Sequence, residues 1–188
     1  MATVVLLLSA QDVKDHGFVD ENVDEKVIRA CIESAQDIYT RDIIGSGLFD
    51  QLKSQKQLGS LTALNTTLLT YIAKSLRYWV LWEGLDTPGF QYKIRNKGVM
   101  KSSSDNSQDI ETTELFKTAN AFKNRAEYYD ERLIKYLIEN ESDYPLYINP
   151  GNGVDTINPR RNGYSTGWVL GNGGCDDCLL GPDSTIDL

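Results

Sequence analysis

The sequence predicts a mainly α-helical protein, an antiparallel helical bundle of about four helices with a small extended or hairpin excursion and a long irregular C-terminal tail. Three observations predict it. Between residues 24 and 140 several segments repeat apolar side chains at spacings of three and four, the period of a helix with one buried face. Glycine-containing breaks separate those segments, and beyond Pro150 the period stops. At 188 residues, 40% hydrophobic and 24% charged, the chain has the length and composition of one globular domain with an appendage.

Ser9 follows the short apolar run Val4 to Leu8 and precedes Ala10-Gln11-Asp12-Val13-Lys14-Asp15. A serine in that position accepts from the first free amides of a helix, so an extended arm and a short helix ending near His16-Gly17 are expected. Asn22 or Asp24 caps the next helix, with Val27, Ile28, Cys31, Ile32, Ala35, Ile38 and Tyr39 on one stripe. Glu25, Lys26, Arg29, Glu33, Gln36 and Asp37 fall on the other face.

Gly45-Ser46-Gly47 interrupts the pattern, and Leu48, Phe49 and Leu52 resume it in a shorter helix. After Leu58-Gly59-Ser60 a third helix is expected over about 62–83. Its stripe is Leu64, Leu68, Leu69, Ile72, Leu76, Trp79 and Val80, with Gly84 and Pro88 ending it. Weak alternation over 90–100 around Asn96-Lys97-Gly98 suggests the hairpin excursion, and the polar run 101–109 a loop. A fourth helix follows over about 110–140, carrying Leu115, Phe116, Ala119, Phe122, Ala126, Tyr129, Leu133, Tyr136 and Leu137.

The chain therefore divides into a helical domain, 1–149, and a Gly/Pro-rich tail, 150–188, which holds eight of the 15 glycines and three of the five prolines. Tyr164, Trp168, Val169, Leu170, Leu179 and Leu180 are costly to leave in water, so the tail is expected to order against a partner surface. Of these, Tyr164, Trp168, Leu170, Leu179 and Leu180 are the candidate partner-binding residues.

With 19 Lys plus Arg against 27 Asp plus Glu, the net charge is -8. A surface of that sign repels phosphate backbones and anionic headgroups, which argues against tight nucleic-acid or membrane binding. The longest apolar run spans five residues, Val4 to Leu8, against the roughly 20 of a membrane-spanning helix. A soluble protein folding in a reducing compartment is expected.

Three cysteines and one histidine constrain the chemistry most. Cys175-Asp-Asp-Cys178 has the spacing of half a zinc knuckle, but a site needs two more ligands, and Cys31 and His16 are the available soft donors. Cys31 belongs to a core stripe. His16 lacks a marked nucleophile, orienting acid and oxyanion donors, and fits better as a helix-terminal residue meeting end carbonyls. Asp130-Glu131 and Asp176-Asp177 read as solvated faces. The glycine clusters match neither a phosphate loop nor a dinucleotide fingerprint. Asn65-Thr66-Thr67 and Asn140-Glu141-Ser142 match the glycosylation pattern by chance, and Tyr71, Tyr78, Trp79 and Trp82 have the spacing of packing residues. No enzyme activity, cofactor or metal is expected.

The N-terminal part carries one more signal. Leu6-Leu7-Leu8-Ser9-x-x-Asp12-Val13-Lys14-x-His16 precedes the acidic stretch Asp20-Glu21-Asn22-Val23-Asp24, followed by Ile28, Ile32, Ala35, Ile38, Ile44-Gly45 and Leu48 to Leu52. Over about residues 4 to 52 this order resembles the head-tail connector, or adaptor, proteins of tailed bacteriophages. Those open with Leu-Thr/Ser-x-x-Glu/Asp-Val/Leu-Lys and continue through an acidic spacer into a helix ending in Leu/Ile-Gly. The glycine-rich tail and the 90–109 segment depart from the compact members.

The resemblance implies a structural virion protein, made in the bacterial host cytoplasm and located in the neck at the head-tail junction. It would form a homo-oligomeric ring, commonly a dodecamer, on the portal protein. The ring extends the DNA channel, lets DNA pass without specific binding, and docks the adjacent neck or tail protein. A different reading of the same residues is a helical interaction module that binds one partner through the C-terminal tail.

Overall fold

The computed structural model describes residues 4–16, 19, 21, 23–85 and 112–161. The 90–100 excursion, the 101–109 run and the tail residues from 162 onward fall outside the described residues, and with them Tyr164, Trp168, Leu170, Cys175, Cys178, Leu179 and Leu180.

The described chain is helical and bundle-like. Helix α1, Ala10–His16, is capped by Ser9, whose Oγ accepts from the Asp12 amide at 3.0 Å. Helix α2, Glu25–Ala35, is capped by Asp24, which accepts from the Lys26 amide at 2.9 Å. It passes into a π-helical turn, Gln36–Thr40, and then into α3, Arg41–Ile44. Helix α4 runs Ser46–Leu58, α5 Ala63–Leu85, α6 Thr112–Glu139 and α7 Pro145–Ile148.

Helices α5 and α6 are the antiparallel spine. Tyr71 stacks on Tyr136 with ring centroids 4.3 Å apart, and Tyr78 on Tyr129 at 5.7 Å. The first residues of these pairs rise by seven, from 71 to 78, while the second fall by seven, from 136 to 129. Seven residues return to the same helix face, so one face of α5 meets one face of α6 along two turns. Between the tyrosines lie Ile72, Leu76, Leu133 and Ile134, all buried.

The π turn changes which residues face inward. A π bulge adds a residue to one turn and rotates everything after it. Gln36, expected on the polar face, is 0% exposed, whereas Ile38 of the expected apolar stripe is 54% exposed. Burial of the Gln36 amide is matched by hydrogen bonds: Leu7 N donates to its Oε1 at 2.9 Å, and its Nε2 donates to Val5 O at 3.1 Å. The N-terminal arm is thus paired backbone to side chain, as a buried amide requires. Lys56 of α4 also donates to Leu7 O, at 2.6 Å, and burial lowers its ammonium below the usual value against the opposing pull of Asp12.

One further expectation is corrected: Leu64, at the first turn of α5, has an exposed side chain, while the next residue, Asn65, is buried. The described part of α5 ends at Leu85, one residue past the buried Gly84, and Pro88 lies outside the described residues.

Residues 150–161 lie along the body as a strap. Ser46 N donates to Ile157 O at 3.0 Å, and Ile157 N donates back to Ser46 Oγ at 2.6 Å. Further along, Arg160 N donates to Asp42 O at 3.1 Å. The flanking glycines leave room for this contact. A Cβ on Gly47 would meet Pro150 O at 2.6 Å, and one on Gly45, whose φ is +78°, would meet Pro159 Cδ at 2.9 Å. With ψ at 159°, Gly45 occupies a backbone region that only glycine enters cheaply.

Candidate functional site

The five partner-binding candidates of the tail lie outside the described residues. What the described residues bring together is an acidic centre on the buried face of α6. Asp130, expected on a solvated face, is 1% exposed. It occurs in the series Phe122, Ala126, Asp130, Leu133 and Leu137, whose other members are all core residues. The helical period that buries them carries the carboxylate inward with them.

A buried carboxylate must be solvated by the protein. Ser75 Oγ of α5 donates to Asp130 Oδ1, and Trp79 Nε1, one turn further along α5, donates to Oδ2 at 3.0 Å. Arg160 of the strap brings Nη2 to 3.7 Å from Oδ2, and its Nη1 is 4.0 Å from Asp42 Oδ2. The Asp130 carboxyl is pushed up to about 6. Desolvation is the largest cause and Glu127 adds to it, while the Ser75 and Trp79 hydrogen bonds and the Arg160 charge pull the other way. Two neutral donors and one cation at 3.7 Å therefore do not fully repay the loss of water.

Asp130 opens onto a cavity of about 250 Å³, whose wall includes Tyr39, Ile43, Trp82 and Lys123. Tyr39 stacks on Trp79 at a centroid distance of 3.9 Å, and both meet Trp82 edge-on at 5.9 Å. The Tyr39 hydroxyl donates to Glu83 Oε1 at 2.7 Å, so the aromatic group is held at a polar point as well. Stacked rings and buried donors fix the geometry around Asp130 with little rotamer freedom left.

His16 is placed elsewhere. Its Nδ1 lies 3.3 Å from Asp12 O and 3.4 Å from Asp12 Oδ1, at the end of α1 as its sequence position suggested. Asp12 is committed to Arg77 of α5, which donates to it through Nε at 2.6 Å and Nη2 at 2.8 Å. Cys31 is buried in the core. Among the described residues no group of three or more His, Cys, Asp or Glu could hold a metal ion, and no helix is long and apolar enough to cross a membrane. Asn65 is buried, with Nδ2 donating to Gln55 Oε1 at 2.7 Å, and Asn140 Nδ2 donates to Tyr136 O at 2.8 Å. The amides of both apparent acceptor motifs are therefore used inside the fold.

Together these features define a helical-bundle protein whose own C-terminal strap is fastened across a turn between helices and onto a buried carboxylate. Residues 40–157 match the model of a family described as a family of unknown function, DUF6712, and the chain belongs to that family. The match begins at the end of the π turn and ends within the strap, so it spans the bundle from α3 to α7 and includes Ser75, Trp79 and Asp130. No curated protein and no solved structure matches the chain.

Proposed function

We propose that this protein is a structural ring subunit of a tailed-phage neck, placed between the portal protein and the next neck or tail component. The arrangement that supports the reading best is the anchored strap. Because residues 150–161 are bound to α3 and α4 at Ser46–Ile157 and Asp42–Arg160, the glycine-rich segment from 162 onward begins at a fixed point on the body. A segment rooted in this way can reach a neighbouring copy without the bundle having to deform.

Two other features agree with this role. One is the connector-like order of residues over about 4–52; the other is charge. The chain's net charge of -8 suits a channel wall along which DNA slides without condensing onto it. In this role the tail aromatics Tyr164 and Trp168 are the anchors in the neighbour or the portal.

Electron microscopy of the purified full chain, alone and mixed with its cognate portal protein, tests the reading. Closed rings with an open centre, free or seated on portals, are expected. A protein that remains single-copy in both samples would overturn it. Capture of one soluble partner by the tail, without ring formation, would favour the interaction-module reading instead.

A further inference from the structure

Near its end the strap makes a charge contact whose acidic half is buried and whose basic half is not. Asp130 is 1% exposed at its side chain, while the Arg160 side chain is 33% exposed. The Arg160 main chain is tied down nearby, its amide donating to Asp42 O at 3.1 Å and its carbonyl accepting from Tyr147 Oη at 3.4 Å. Arg160 Nε is buried and makes no hydrogen bond, a cost that the two carboxylates beside the guanidinium must offset.

We propose that Asp130 and Arg160 form a proton-sensitive latch, in which a charged Asp130 holds the end of the strap on the bundle and a neutral Asp130 releases it while the bundle stays folded.

The geometry separates the two consequences. A protonated Asp130 keeps a place for the Ser75 and Trp79 donors through its remaining oxygen lone pairs, so α5 and α6 stay together. The attraction to Arg160 disappears with the charge, and Asp42 at 4.0 Å is left as the acidic neighbour of the guanidinium. The groups facing Asp130 are few. Helix α5 contributes Ser75 and Trp79, α6 contributes Glu127 and Lys123, α3 contributes Asp42, the π turn contributes Tyr39, and the strap contributes Arg160. Of these, Arg160 alone belongs to the strap, so the proton on Asp130 is felt there. Burial already pushes this carboxyl up to about 6, which brings the change within reach of mild acid. Residue 160 would then be held firmly on the bundle at neutral pH and loosely below it, beside Arg161, whose Nη2 lies 3.4 Å from Glu141 Oε2.

Two nuclear magnetic resonance signals of the full chain test the latch. The Trp79 indole N–H reports the proton on Asp130, and the Arg160 amide's exchange protection, corrected for intrinsic rate, reports the strap. Between about pH 7.5 and about pH 5, Arg160 protection is expected to fall about tenfold, with the same midpoint as the Trp79 shift, while Ile72 and Leu76 amides stay protected. In Arg160→Gln the Trp79 midpoint is expected to move upward, because a cation that favoured the charged form is gone; linkage requires that reciprocity. Asp130→Asn is expected to leave Arg160 unprotected at both pH values, and Asp42→Asn to keep the transition. An unchanged Trp79 midpoint in Arg160→Gln, or Arg160 protection that does not follow Trp79 in the wild-type protein, would overturn the latch. Those two measurements decide the matter even if Asp130→Asn does not fold.

Discussion

Gly47 and Pro150 meet backbone to backbone: a Cβ at position 47 would fall 2.6 Å from the Pro150 carbonyl oxygen and 2.9 Å from its Cα. Two residues 103 positions apart, from 47 to 150, are therefore matched in shape as closely as core neighbours, and the glycine is needed for the strap as much as for the turn.

The first prediction follows from that contact. Gly47→Ala forces either α4 or the strap to shift, because the atoms it meets are main chain and cannot swing away. A cost of about 2 to 4 kcal/mol is expected from chemical denaturation. Gly45→Ala carries the same order of penalty, from its φ of +78° and the Pro159 contact. Gly59 is the comparison: its φ is +65° but a Cβ there meets nothing within 4 Å, so Gly59→Ala should cost only about 1 kcal/mol.

The π turn supplies the second. Gln36→Leu removes both partners of the N-terminal arm and leaves Leu7 N–H and Val5 C=O without their side-chain bonds, for an expected loss of about 2 kcal/mol. Ile38→Ser, on a half-exposed position, should change stability by less than about 0.5 kcal/mol. The opposite ranking would show that the helix has no register shift at Gln36–Thr40.

Asp130 supplies the third, a pH dependence of the whole fold. Its folded value, about 6, is above the ordinary 3.8, so the native state holds more protons than the unfolded state between those limits. The stability it contributes is thus fully present below about pH 4 and lost as pH rises through about 6. The difference in unfolding free energy between wild type and Asp130→Asn should show this slope, about 3 kcal/mol in total at one pH unit per 1.4 kcal/mol. A flat difference across the range would mean that Asp130 is not desolvated. The bundle is expected to gain stability on acidification over the interval in which the end of the strap loosens.

Most of the bundle was legible from local pattern. Ser9 and Asp24 cap helices because a short oxygen side chain before an apolar repeat has that use, and the stripes of α5 and α6 follow the 3.6-residue period closely. Other features do not follow from residue type or local period. Gln36 and Asp130 read as solvent-facing by residue type, and Ile38 and Leu64 as stripe residues, although Asp130 is in step with the buried Phe122, Ala126, Leu133 and Leu137, and that register is the available signal. Gly45 and Gly47 read as a helix break, which they are, but their second role depends on Pro159 and Pro150, more than 100 residues away. No local pattern encodes such a contact. The same holds for 150–161, whose composition resembles the tail that follows it while its Ile157 and Arg160 amides are bound to the body.

Truncation separates those two parts of the C-terminus and is the fourth prediction. A chain ending at residue 149 loses Ile157, Pro159 and Arg160 and leaves Asp130 without its cation. Its melting temperature should fall by about 5 to 10 °C. A chain ending at residue 161 keeps every strap contact described above and should melt within about 2 °C of the full protein.

The shorter of those changes also tests the proposed role most directly. In mass photometry at equal concentration, with the cognate portal protein present, the full chain should build a multi-copy ring on the portal, and the chain ending at 161 should remain folded but single-copy. Assembly of the 161-residue chain to the same mass, or failure of the full chain to assemble at all, would contradict the account.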